Sequence, residues 1–159
     1  MSTPSLQNVR VAPVPGARVR RPVRIGIEAQ RLFRPHKHGM DIVVLELIRH
    51  LQQIDDYNEY FIFVKPDVDS DVLQLQETPN FHLVEVAGGP YPLWEQALLP
   101  RAARQAGVEL LHCTSNTAPL HAGVPLVLTL HDIIYLEPLD LRRGSWYQRA
   151  GNLYRRWNV

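Results

Sequence analysis

The apolar and polar positions change rhythm repeatedly along the chain, and each change marks an element. Val23–Ala29 is short and mostly apolar and reads as a first strand. From Met40 to Ile54 the spacing lengthens to that of a helix, with Val44, Leu47, Ile48 and Leu51 on one face. Glu59–Lys65 is rich in aromatic and β-branched residues and predicts a second strand, stopped by Pro66. Phe81–Ala87 predicts a third, stopped by Gly88-Gly89-Pro90, and Leu93–Ala106 a helix that Gly107 terminates. Glu109–Cys113 is a short fourth strand. Pro125–Leu130 is almost continuously apolar, which predicts a fifth strand buried on both faces. A last helix follows Ser145, a capping residue, and places Trp146, Ala150, Leu153 and Trp157 on one side. Gly151 weakens that helix.

Alternating strands and helices predict an α/β fold, a Rossmann-like, doubly wound and mostly parallel sheet. Right-handed crossovers then bring the loops after each strand to one rim. No internal repeat is visible. Residues 1–22 carry Pro4, Pro13, Pro15, Pro22 and Gly16 with no sustained period, so a disordered basic leader is expected there. Residues 23–159 form the domain.

The chain has 159 residues, the size of one domain, and its 45% hydrophobic content supports a core. A lone cysteine, Cys113, excludes an internal disulfide. No apolar run approaches the ~20 residues of a membrane-spanning helix, and no signal-peptide pattern is present. These features predict a soluble, cytoplasmic protein. The net charge of +1 conceals an asymmetry. Residues 1–24 hold Arg10, Arg18, Arg20, Arg21 and Arg24 without an acid, and residues 141–159 hold Arg142, Arg143, Arg149, Arg155 and Arg156 without one. Such ends suit an anionic membrane surface. The plainer alternative is a solvated tail and an ordinary helix face. No nucleic-acid partner is expected.

Four loop segments carry the candidate chemistry. Gln30–Gly39 contains Arg31, Arg34, His36, Lys37, His38 and Gly39. A basic loop entering a helix start suits an anion, although Asp41 in the first turn would repel a phosphate. The G-x-G-x-x-G dinucleotide fingerprint is absent, which argues against a dehydrogenase-like domain. His36 and His38 lack a partner at metal-ligand spacing, so no metal is expected. In Gly88–Trp94 a stiff turn presents Tyr91 and Trp94, either as pocket walls or as staples for the next helix. Thr114, Ser115 and Asn116 follow the fourth strand and either bond sugar hydroxyls or a phosphate, or simply form a turn. His131 and Asp132 follow the fifth strand, where a substrate-orienting group belongs, unless the pair only closes the turn.

Read in order, these segments resemble the retaining glycosyltransferases of family 4, also called group 1. The resemblance runs from about Val23 onward. It is carried by "LWEQALLPRAARQAGVELLHCTSNTAPL", by "GVPLVLTLHDIIYLEP", and by "RIGIEAQRLFRPHKHGMDIVVLELIRHL" as the opening strand, glycine loop and helix. Many relatives carry a second glycine where this loop runs Gly39-Met40-Asp41. The resemblance implies the N-terminal half of a two-domain GT-B enzyme, in which this half shapes the acceptor site and the other half binds most of the donor. It implies no metal and no cofactor, the nucleotide-sugar being a substrate. It places Gly39, with His38 beside it, near the donor, and His131, with Asp132 next to it, in the catalytic cleft against the transferred sugar. Thr114, Ser115 and Asn116 fall near the acceptor. The implied reaction moves a hexosyl unit from a nucleotide-sugar to a hydroxyl on a glycan or lipid-linked acceptor. The implied setting is bacterial surface polysaccharide synthesis at the inner face of the membrane.

The donor-binding half of that family lies outside these residues. The chain is therefore expected to be truncated and inactive alone. Trip-wire aromatics on the last helix, Trp146, Tyr154 and Trp157, are then expected to lack cover and to invite a homodimer. The alternative reading is a stand-alone, non-enzymatic Rossmann-like subunit that binds a glycan or a partner chain.

Overall fold

The computed structural model describes residues 21–34, 36–66, 75, 78–132 and 146–158. The expected leader, except Arg21 and Pro22, and the capping Ser145 lie outside the described residues. The strands are β1 (Arg24–Glu28), β2 (Glu59–Val64), β3 (Phe81–Glu85), β4 (Leu110–Cys113) and β5 (Leu126–Leu128). They form one five-stranded sheet in the order β3-β2-β1-β4-β5. Every pairing is parallel. The sheet is thus wholly parallel, where the sequence pattern predicted mostly so.

Strand alternation sorts the core onto two faces. Tyr60, Ile62 and Val64 of β2 pack with Ile27 under helix α1 (Gly39–Ile54), through its Val44, Leu45 and Ile48. Phe61 and Phe63 point the other way and pack with Trp94, Leu99, Ala103 and Leu111. Helices therefore cover both faces, as a doubly wound sheet requires. Gly26 in β1 permits the second contact, because a Cβ there would lie 2.8 Å from the Phe63 ring.

The helical segment after β3 runs without a break through α2 (Tyr91–Leu93), a π turn (Trp94–Leu98) and α3 (Leu99–Gln105). Pro100 accounts for the π turn. A proline in a regular helix lacks the N–H that would bond Gln96 and presses its ring on that carbonyl. Widening the turn relieves both, and the Leu99 N–H bonds Trp94 instead. The extra residue makes the adjacent Trp94 and Glu95 both fully buried. Gly107, at φ +67°, ends the segment in the left-handed conformation, with Val108 N–H donating to Ala103 O at 3.0 Å.

Two expectations are corrected here. β5 is not buried on both faces. Among the described residues it pairs only with β4, and Leu126 and Val127 are exposed. Its apolar run is an edge strand, because nothing described packs on its outer side. Helix α4 (Trp146–Asn158) also differs from expectation at Tyr154, which is partly covered, whereas Trp146, Leu153 and Trp157 are exposed.

Candidate functional site

The sheet order places the topological switch between β1 and β4, so a crevice opens beyond their carboxyl ends. Glu28 is the last residue of β1. Alternation turns its side chain away from α1 and into the sheet's other face, where it is 1% exposed. Its carboxylate accepts Gln30 N–H at 3.1 Å and Thr114 N–H at 3.4 Å. The Thr114 hydroxyl donates to the Glu28 carbonyl at 2.7 Å, which locks the β4 loop to the end of β1. Burial holds the Glu28 carboxyl above its ordinary pKa, and the nearby Glu95 adds to that, while the two amide donors oppose it.

Glu95, on the π turn, is the second buried carboxylate. Its oxygens accept from the Tyr91 hydroxyl at 2.7 Å, from Gln96 Nε2 at 3.1 Å, and from the hydroxyls of Thr117 and Tyr154. Four donors satisfy it, as a fully buried carboxylate demands. Burial first, and the carboxylates second, push the Tyr91 and Tyr154 phenols far above their usual range. Both therefore remain protonated donors.

Above this network lies a cleft of about 330 Å³. Arg31, after β1, and Met40, on the first turn of α1, form one side. Tyr91, between Pro90 and Pro92, stands opposite, and Ser115 and Thr117 line the β4 side. Helix α4 closes the cleft with Trp146, Gly151, Tyr154 and Arg155. The Arg31 guanidinium sits 5.9 Å from the centre of the Tyr91 ring, and Tyr91 meets Tyr154 edge to face at 6.3 Å. Flat aromatic faces, two small hydroxyl side chains and a cation suit a ring-shaped polyol bearing a negative group.

Three of the four loop segments contribute to this one cleft. The fourth meets it from behind. The His131 backbone N–H donates to Asn116 Oδ1 at 2.5 Å, and its ring Nε2–H donates to Thr114 O at 2.7 Å. Asn116 is held at φ +63°, a conformation asparagine tolerates better than most residues. His131 is thereby fixed to the β4 loop. Asp132 is exposed. Thr114 and Asn116 are buried behind the wall that Ser115 presents. His38 caps α1 through its N–H, which donates to Asp41 Oδ2 at 2.9 Å. Gly39 opens the helix into free space, since a Cβ there meets nothing within 4 Å. Neither His38 nor Gly39 lines the cleft.

Of the two aromatic candidates, Tyr91 is a wall. Trp94 is not. It is wholly buried, and its indole N–H donates to Val86 O at 2.8 Å, which makes it part of the core under the sheet. Sequence reasoning missed Glu28, Glu95 and Tyr154 as a group. The available signals were an acid ending the strand run Arg24-Ile25-Gly26-Ile27-Glu28 and an acid directly beside a core tryptophan. Among the described residues no three His, Cys, Asp or Glu side chains gather as metal ligands, and no helix is long and apolar enough to cross a membrane.

The chain matches no protein-family model, no curated protein and no solved structure.

Proposed function

We propose that this chain is the acceptor-side half of a GT-B hexosyltransferase that takes its sugar from a nucleotide-sugar. The observation that supports the reading is the cleft at the switch point, with Tyr91 and Tyr154 as walls and Ser115, Thr117 and Arg31 as polar contacts. Sugars are held by such combinations of flat apolar faces and short hydroxyl groups. In this reading Ser115, with Thr114 and Asn116 shaping its loop, serves the acceptor. The open start of α1 at His38 and Gly39 faces the donor. His131 orients the transferred sugar from the end of β5, with Asp132 beside it, and works at the cytoplasmic face of a membrane.

A binding subunit without catalysis is the second reading. One observation favours it: both buried carboxylates are fully occupied by internal donors, so neither offers a free base to the cleft. Saturation-transfer NMR with simple methyl hexosides tests the part common to both readings. Saturation is expected on hexosides and is expected to fade in Tyr91→Ala. Equal signals from wild type and Tyr91→Ala would remove the cleft from the account. Transfer from a nucleotide-sugar, tested after adding a donor-binding partner half and lost in His131→Ala, separates the enzyme from the binding subunit.

A further inference from the structure

Arg31 follows β1 and lines the cleft, partly buried. The other arginines described as partly buried already have partners. Arg24 pairs with Glu59 at 3.1 Å and Arg49 with Glu46 at 2.6 Å, and Arg155 and Arg156 are also engaged. Arg31 differs. Among the described residues its guanidinium makes no ion pair and no hydrogen bond, and what it meets is the Tyr91 ring, 5.9 Å away. A ring contact satisfies no N–H, so all five guanidinium donors lack a protein acceptor. The carboxylates beneath the cleft do not supply the missing counter-ion. Glu95 accepts from Tyr91, Thr117, Gln96 and Tyr154, and Glu28 from the amides of Gln30 and Thr114. A guanidinium cannot lose its proton to escape a partly dry site, so it gains most from an anion that arrives with a ligand.

We propose that the cleft selects a hexoside carrying an anionic group, a carboxylate or a phosphate ester, and that Arg31 reads that charge. The proposal rests on the reading that the cleft holds a sugar, and it adds the charge of that sugar. Tyr91 and Tyr154 offer faces to a ring, and Ser115 and Thr117 offer short hydroxyl groups to its hydroxyls. None of these four separates an acidic sugar from a neutral one. Arg31 does. Its hydrogen bonds to a carboxylate or phosphate are charge-assisted and can form in pairs, whereas a sugar hydroxyl presents a single neutral oxygen. Arg155 also lines the cleft, but it is already engaged, which leaves Arg31 as the cation awaiting an anion.

Chemical-shift titration of the full chain with methyl glucuronoside, its neutral uronamide and methyl glucoside isolates the charge, because the uronamide keeps the shape of the acid. Glucose 6-phosphate against glucose tests a phosphate in the same way. At least one anionic form is expected to bind about 10-fold tighter than its neutral counterpart, with the gap narrowing in high salt. The larger of the two gaps identifies the anionic group. Arg31→Gln is expected to bring the charged-to-neutral ratio close to one, and Arg31→Lys to keep part of it. Loss of the Tyr91 contact alone would weaken charged and neutral sugars alike and leave the ratio unchanged. Equal affinity for charged and neutral forms in wild type overturns the proposal and leaves the sugar reading standing, whereas no binding of any of these sugars overturns both. A charge preference that survives in Arg31→Gln overturns the role of Arg31. Inorganic pyrophosphate that binds the cleft more tightly than either anionic sugar overturns the proposal as well, and assigns the guanidinium to a diphosphate.

Discussion

The Tyr154 hydroxyl donates to the buried carboxylate of Glu95, 59 residues earlier in the chain. This contact joins the last described helix to the π turn and lets α4 close the cleft. Glu95 sits under a lid that is itself part of the cleft wall, so the wall and the core network are one structure.

Removing that hydroxyl should loosen both. Tyr154→Phe leaves a buried carboxylate one donor short, a loss of about 1–3 kcal/mol. Urea denaturation should show a lower midpoint, and hydrogen exchange should show faster exchange in α4 than elsewhere. Unchanged stability and exchange would mean that α4 is held by other contacts.

Glu28 predicts a pH trend. Its folded pKa lies above the ordinary value of 4.5, chiefly because of burial. The protonated form is favoured in the folded state, so its contribution is full below that value and is lost as pH rises through the folded pKa. Glu28→Gln should therefore gain on wild type in thermal melts as pH is raised, with the two converging in acid. A difference that is flat with pH would mean Glu28 is not buried in the folded chain.

Asp55 predicts the opposite trend. It accepts the Tyr60 hydroxyl at 2.7 Å and the backbone N–H groups of Tyr57 and Asn58 at 2.8 and 3.0 Å. The Tyr60 hydroxyl first, then Asn58 and Tyr57, hold its carboxyl below the ordinary 3.8. Its contribution is present above that value and is lost as pH falls through the folded pKa. Asp55→Asn should lower the melting temperature at neutral pH, with the gap to wild type closing in acid. A gap that widens in acid would reverse the assignment.

Gly26 predicts a steric penalty. A methyl group there meets Phe63 at 2.8 Å and Leu111 and Val108 at 3.1 Å. Gly26→Ala should cost about 1–3 kcal/mol by overpacking, measured as a lower denaturation midpoint. A neutral result would show that the Phe63 ring has room to move.

Much of the architecture was legible from local pattern. The strand and helix periods are imposed by backbone geometry within a few residues, so β1 to β4, α1 and the helical segment after β3 could be read without knowing their neighbours. Proline and glycine marked their ends for the same reason. The convergence of Arg31, Tyr91 and Ser115 followed from alternation, since parallel crossovers gather the loops after the strands. His38, Gly39 and His131 fell on that rim, though outside the cleft lining.

What the sequence alone determined, then, is which segments repeat at two and which at 3.6, and hence a parallel α/β sheet with the loops after its strands on one rim. What only the tertiary structure decided is burial. Among the described residues the apolar β5 is an edge strand because only β4 pairs with it, and Trp94 became core while Tyr91 became a wall because a π turn rotated one under the sheet. Glu28 and Glu95 became a buried pair because residues far apart in sequence supplied their donors. Period is a property of the backbone within one segment, whereas burial depends on which segment arrives on the other side.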